Sequence, residues 1–505
     1  MSYADTPSTR RAGPKDWLGL VVLVLPALLL FMMLTILFLA MPQLAADLRP
    51  SSSQALWIID IYGFLMAGLL VTMGTLGDRI GHRRLLTGGA AVFAVVSAAA
   101  AATSDPALMI VWRAVLGIAA ATQMPATLGL IFATFTDPRQ RGIAVGIWSG
   151  GISVGTGLGP VLGGALLEAF SWRAAFLVAV PVMAVVAIGA PLLLPDNRNP
   201  AAGRPDLFSV LLSLATLLQI IYGVKELAKP DALLPGLAAI AAGLAFGAWF
   251  VTRQRRLSEP LLDVRLFAHR TVSGALGVFL LAATGLGGIY LLFTQYLQLV
   301  EGLSPLRAGL WVLPGAALLV VASTASPILA RRVRPGRLIA AGLAIQVIGY
   351  LMISQVNAVG GLPLLVAGFM VLYPAVAPTM ALTTDLVVGS VPPQKAGAAS
   401  GLATTCSDLG ISLGIAIIGS IAAAVYRAQA ATTLPGGLPP DAAAASRDSL
   451  DGAVTAAQTL PGELAAAVLA PARAAFTGGL NTTAVIAAVI AAGAAVLALR
   501  RLGHV

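Results

Sequence analysis

The sequence predicts an all-helical membrane protein of fourteen spans, two six-helix bundles with two further helices inserted between them. Three observations predict this class. Charge is too sparse to cover a water-facing surface, apolar runs of bilayer length recur along the chain, and an internal duplication relates its two ends.

Only 10% of the 505 residues are charged, 58% are hydrophobic, and the mean hydropathy is +0.90. A soluble globular chain carries about 25% charged residues. Disorder, a secreted disulfide scaffold and an ordinary soluble enzyme are therefore poor fits. The net charge of +10 would suggest nucleic acid on a soluble chain. Here the basic residues sit in short loops between apolar runs, which points to membrane topology and to no nucleic-acid partner. Cys406 is the only cysteine, so no intrachain disulfide can form.

A bilayer core of about 30 Å takes about 20 helical residues. Runs of that kind cover 17–41, 55–75, 85–103, 107–130, 142–167 and 173–194, then 207–226 and 232–252. They continue over 272–299, 307–330, 337–355, 361–386, 397–425 and 478–500. The first run follows a polar tail, 1–16, and is too long for the apolar region of a signal peptide. With the N-terminus inside, 22 of the 31 Lys and Arg fall in inside segments and 8 in outside ones. That bias predicts cytoplasmic N- and C-termini, and the Ala-, Gly- and Leu-rich composition suggests a bacterial source and so a plasma (inner) membrane. One connection is long, the outside loop 427–477, whose stretch 441–470 is amphipathic and suits a short helical hairpin.

The duplication is explicit. Residues 76–89, LGDRIGHRRLLTGG, match 329–342, LARRVRPGRLIAAG, and both link two spans on the inside. A second match pairs Pro138 with Pro393, and Gly142, Gly146, Gly155 and Gly159 with Gly397, Gly401, Gly410 and Gly414. These place a bundle in 17–200, two linker helices in 201–256 and a second bundle in 257–505 that includes the loop 427–477. Parallel repeats of this kind are a transporter architecture, with the ligand site between the halves.

Ionisable residues within spans are costly, about 2.5–3.5 kcal/mol each on insertion scales, so each needs a reason. Three stand out: Asp60 in the second span, Arg113 in the fourth and Asp408 in the thirteenth. Thr404, Thr405, Ser407 and Ser412 surround Asp408 and leave room for water and a ligand, so this carboxyl could exchange a proton for a cation. Arg113 must pair with carbonyls or an acid. Phe31, Met33, Phe38, Trp57, Tyr62, Tyr290 and Trp311 are candidate walls of a small-molecule cavity, with Gln295 and Gln298 on one face of the ninth span. In the fifth span Gly155, Gly159, Gly163 and Gly164 permit close helix packing, and Pro160 bends the helix.

These residues carry a resemblance. GDRIGHRR at 77–84 is similar to the inner-loop signature of the major facilitator superfamily, and Arg113 with Gly117 resembles its buried-arginine motif. GTGLGP at 155–160, with Gly163 and Gly164, resembles the antiporter motif of the fifth span. LWIIDIYGF at 56–64 and TQYLQLVEGLSP at 294–305 resemble segments of its fourteen-helix drug:proton antiporters, the QacA/LfrA type. The resemblance implies the major facilitator fold. It implies gating by Gly77, Asp78, Arg79, Gly81 and Arg83, and a part for Arg113 in proton handling; Asp60 and Asp408 join it as charge-handling candidates on their place within spans. There is one departure: in MMLTILFLAMP, 32–42, Met33 stands where the subgroup commonly carries an aspartate.

The expectation is a monomeric secondary transporter in the lipid bilayer that exports lipophilic, cationic compounds in exchange for protons. No Walker A sequence, HExxH motif or Cys/His cluster is present, so neither enzymatic chemistry nor a cofactor or metal is expected. Two alternatives stay open: export of a neutral lipid or secondary metabolite without strict proton coupling, and a non-transporting membrane sensor.

Overall fold

Apolar sequence of this kind has one way to satisfy its backbone in hydrocarbon, the hydrogen bonds within a helix. A computed structural model describes residues 11–196, 206–227, 232–257, 269–390, 396–436 and 438–504. Among them, fourteen helical stretches are long and apolar enough to cross a membrane. The first six spans are α1 (Pro14–Leu48), α2 (Ser52–Ile80), α3 (His82–Ala102), α4 (Pro106–Thr134), α5 (Pro138–Ala169) and the pair α6 (Trp172–Leu177) and α7 (Ala179–Leu193). The inserted helices are α8 (Leu207–Leu227) and α9 (Leu233–Arg256). The last six spans begin with α10 (Arg270–Gln295), α11 (Pro305–Leu329) and α12 (Pro335–Ile353). They end with the broken pair α13 (Leu362–Leu372) and α14 (Ala377–Gly389), then α15 (Ala396–Thr433) and, beyond α16 (Pro440–Asp448) and α17 (Leu450–Ala457), α18 (Gly462–Leu502). With an even number of spans, both termini lie on one face, here called near; the opposite face is far.

Local chemistry sets the helix ends. Ser51 accepts from the Gln54 N–H while the Gln54 side chain accepts from the Ser51 N–H, a capping box at α2. Asp105 and Asp137 cap α4 and α5 in the same role. Gly81, at φ 100°, makes the sharp turn from α2 into α3 that a side chain would strain.

The duplication reappears as matched packing. A Cβ at Gly155 would run into the backbone of Leu28, and one at Gly410 would lie 2.7 Å from the carbonyl of Leu280. Gly159 meets Met32 and Thr35, and Gly414 meets Thr284. So α5 seats on α1 as α15 seats on α10, by the small-residue approach that membrane helices use. Pro393 lies outside the described residues, as does the expected 200/201 boundary.

The helices outrun the apolar runs that predict them, because helical hydrogen bonding continues beyond the hydrocarbon layer. With α15 ending at Thr433 and α18 starting at Gly462, the 427–477 connection shortens to 434–461. The amphipathic stretch 441–470 divides between α16, α17 and the first turns of α18.

Candidate functional site

The two halves meet from mid-bundle to the far face. A Cβ at Gly164 of α5 would lie 2.6 Å from the Leu306 Cα and the Pro305 carbonyl of α11; reciprocally, Gly309 lies against Pro160. Gly63 of α2 lies against Ser412 of α15, and Gly419 against Leu56. Toward the near face a Cβ at Gly142, Gly146 or Gly150 would meet nothing within 4 Å. Gly155, Gly159 and Gly163 face α1 inside the first half, whereas Gly164 and Pro160 touch the second.

The three charged candidates lie close together on this seam. Arg113 is 2% exposed and donates from Nε to the Ile58 carbonyl at 2.9 Å and from Nη2 to the Ile59 carbonyl at 3.2 Å. Its guanidinium stacks 4.4 Å from the centre of the Tyr62 ring. Asp60 interacts electrostatically with Arg113, but its direct partner is Lys225 of α8, whose Nζ lies 3.1 Å from Oδ1 and 2.9 Å from Oδ2. Lys225 also sits 3.9 Å over the Trp57 ring. Asp408 is half-buried, within electrostatic reach of Tyr62 across the seam, and has no hydrogen-bond or ion-pair partner among the described residues. It stands one turn to the near side of Ser412, where the halves close. Lys225 escaped the sequence reading: a single basic residue at the end of an apolar run reads as an interfacial anchor, and no acid at helical spacing marks it as paired.

The cavity candidates divide. Phe38 of α1 meets Tyr290 of α10 edge-on at 5.3 Å, joining the halves through an aromatic cluster with Phe369, Tyr373 and Phe293. Sequence reasoning named neither Phe369 nor Tyr373. Met33 and Tyr62 are buried, while Phe31, Trp57, Gln295 and Gln298 are half-buried. The Gln298 amide nitrogen is buried without a partner among the described residues. Trp311 is 40% exposed, on the side of α11 that also exposes Leu310 and Leu318, and stands apart from the aromatic cluster.

A small cavity with an open mouth lies between the halves at the far face. Leu56 and Ile59 of α2, Leu292 and Gln295 of α10, and Gly419 and Tyr426 of α15 line it. Its roof is the α16–α17 hairpin. Asp448 accepts from the Ser52 N–H at 2.8 Å and from its hydroxyl at 3.0 Å, and Arg427 donates to that hydroxyl at 2.8 Å. One hairpin acid thus clasps both halves. Asp451 lines the cavity with Oδ1 buried and unpartnered, and burial pushes its carboxyl up to about 7.

The predicted gate is partly assembled. His82 Nε2 and Asp78 Oδ1 lie 2.9 Å apart, and Asp78 remains 58% exposed. A Cβ at Gly77 would strike the His82 ring. Arg83 donates to the Leu194 carbonyl at 3.1 Å and lies 3.4 Å from Asp196, so it ties the loop after α2 to the end of α7. Arg79 is exposed. The contacts of Asp78, His82 and Arg83 named above all lie within one half.

Known proteins share this organisation. The family described as the Major Facilitator Superfamily matches residues 23–415. The multidrug efflux pump LfrA of Mycolicibacterium smegmatis is 43% identical over 97% of this chain and 97% of its own. The methyl viologen resistance protein SmvA of Salmonella typhimurium is 35% identical over 87% of this chain and 89% of its own. A solved bacterial homolog of the human lysosomal transporter Spinster, inward-facing and unoccupied, superposes with a TM-score of 0.66 at 17% identity, covering 97% of this chain and 99% of that one.

Proposed function

The chain belongs to the major facilitator superfamily, a multi-pass membrane protein whose relatives are drug efflux pumps, and from that premise we propose that it exports lipophilic cations from the cytoplasm in exchange for protons. The halves rock about the α5–α11 and α2–α15 contacts, so that a site between them opens to one face at a time. Contact on the far side and clearance on the near side are what a cytoplasm-open state of such a cycle requires.

The observation that carries this reading is the contrast between two acids. Asp60 is already neutralised by Lys225, whereas Asp408 faces the seam half-buried and without a partner among the described residues. A carboxyl with no fixed counter-ion can hold a proton or a cationic ligand, but the two compete for it. Tyr62, the Phe38–Tyr290 cluster and the small hydroxyl residues around Asp408 offer apolar and polar walls for a variable guest. Arg113, fixed on the α2 carbonyls, keeps a positive charge beside Asp60 and Tyr62. The name of the SmvA relative refers to methyl viologen, an organic dication, which agrees with a cation site.

Inverted membrane vesicles with an imposed pH gradient and a fluorescent cation test the proposal. Cation uptake that ignores the gradient would refute exchange for protons. Met33 in the place of a first-span acid favours the second reading, export of a neutral lipophile; uptake of neutral dyes alone would establish it.

A further inference from the structure

Lys225 is a buried charge that the mechanism above leaves unused. It sits on an inserted helix, and that helix lies in the seam between the halves: Leu217 and Ile221 pack with Phe64 of α2 and Ala416 of α15. In the last turn of α8 the Lys225 ammonium reaches Asp60 at 2.9 Å and the Trp57 ring at 3.9 Å. The two charged side chains are 1% and 0% exposed. Such a pair is a poor source of stability, because desolvating both charges offsets their attraction, and apolar residues of similar volume do as well. A carboxylate beside an open aromatic face is, however, a good receptor for an organic ammonium.

We infer that Asp60 and Trp57 form an organic-cation site that Lys225 fills from the inserted helix, a tethered internal cation that a cationic substrate displaces. The inference rests on the cation reading above and assigns the inserted helix a part in it. Replacing one monovalent cation by another leaves the charge of the group containing Asp60 and Arg113 unchanged, so the exchange needs no extra counter-ion. Withdrawal of Lys225 also releases the far end of α8 from α2, which couples occupancy of the site to movement at the seam.

Two measurements on the purified full-length protein test this without a pH gradient. In the first, Lys225 of the unaltered chain is labelled with an amine-reactive reagent, with Lys15, Lys229 and Lys395 as internal references. Saturating tetraphenylphosphonium is expected to raise labelling of Lys225 several-fold, and the neutral dye Nile red to leave it unchanged. Labelling that does not respond to the cation, or responds equally to both probes, overturns the inference. In the second, affinity for tetraphenylphosphonium is compared between the parent and Lys225→Gln, whose amide still donates to Asp60. The variant is expected to bind about tenfold tighter, as a vacated charge-assisted and cation–π contact implies. Asp60→Asn in the same background should erase the gain, and Lys225→Arg should bind like the parent. An unchanged or weaker affinity in Lys225→Gln counts against the site. If gradient-driven export fails while these responses hold, proton exchange falls and the cation site stands; the reverse result removes the site alone.

Discussion

Replacing Asp408 by Asn separates transport chemistry from stability more cleanly than any other change in this molecule. Asp408 makes no hydrogen bond or ion pair among the described residues, so the nearly isosteric amide has no native partner to abandon. Its effect on folding should fall well below the roughly 3–5 kcal/mol of a broken buried pair. The effect on function should be complete. A one-for-one exchange of proton for monovalent cation across a one-unit pH gradient supports about tenfold accumulation, equivalent to about 1.4 kcal/mol. On the proposed exchange, removing the proton site at Asp408 leaves that gradient no purchase, and accumulation should fall to the undriven level. Asp60→Asn provides the contrast. It leaves Lys225 buried against Trp57 without its carboxylate, a loss of roughly 3–5 kcal/mol for a broken buried pair. The assay is uptake of a fluorescent cation by inverted vesicles with and without the gradient, read beside the melting temperature of each purified variant. If Asp408→Asn keeps gradient-driven accumulation, the assignment of the proton to this carboxyl is refuted.

Three further outcomes follow from the geometry. Gly164→Ala puts a Cβ 2.6 Å from the Leu306 backbone; overpacking of about 1–3 kcal/mol should disfavour far-side closure, cutting turnover at normal expression and raising thiol labelling of a cysteine placed on the far half of α11. Arg113→Lys loses the forked donation to Ile58 and Ile59 and the stacking on Tyr62; a drop in melting temperature equivalent to about 1–3 kcal/mol with loss of export is expected, and unchanged export would show that a point charge suffices. Asp451 has its carboxyl raised to about 7 in the closed hairpin by burial, near Tyr426 and Asp448, while the open loop returns it to the usual carboxylate range. The closed form therefore holds the extra proton, and closure is favoured below the ordinary carboxylate value and weakens as pH rises through about 7. Hydrogen exchange across 440–457, corrected for intrinsic rate, should increase from pH 6 to pH 8, and Asp451→Asn should remove that change.

Where the sequence was legible, a long-range signal was encoded locally. Span count follows from apolar runs, and the seating of α5 on α1 and of α15 on α10 follows from glycines that recur in both halves. The turn at Gly81 is equally local. What was hidden depends on which helix lies beside which. Lys225 gives no periodic signal, and only the placement of α8 across the seam brings its ammonium to Asp60. Phe369 and Tyr373 sit in an apolar run where aromatic residues are ordinary, until α13 is laid against Tyr290 and Phe293 of α10. Hydropathy also misjudged the far-face connection, because it marks where a helix leaves hydrocarbon and not where it ends. For that reason hydropathy gives no sign that Asp448 and Asp451, inside the stretch expected to form a hairpin, roof a cavity.

The duplication and the charges divide the work. Gly155 against Leu28 and Gly410 against Leu280 are the same contact in two halves, and a scaffold built twice gives two rigid bodies with equivalent internal packing. Rigid bodies of that kind can rock, but symmetric packing cannot say which ion drives them. The ionisable groups do not obey the repeat. Asp60 and Arg113 belong to the first half, Asp408 to the second, and Lys225 to the inserted pair, so three parts of the chain contribute to one electrostatic group at the seam. Any relative motion of the halves must change the distance from Asp408 to Tyr62 and Arg113, and so the surroundings that this carboxyl meets. The proposed proton exchange then needs no dedicated relay, because the motion and the exchange meet at one place. Moving the acid to the matching position of the duplicated sequence, Ser153→Asp with Asp408→Ser, assigns it to the same half as Arg113. Such a swap should bind cations yet fail to convert a pH gradient into accumulation, and retained gradient-driven uptake would show that asymmetry across the seam is not what couples them.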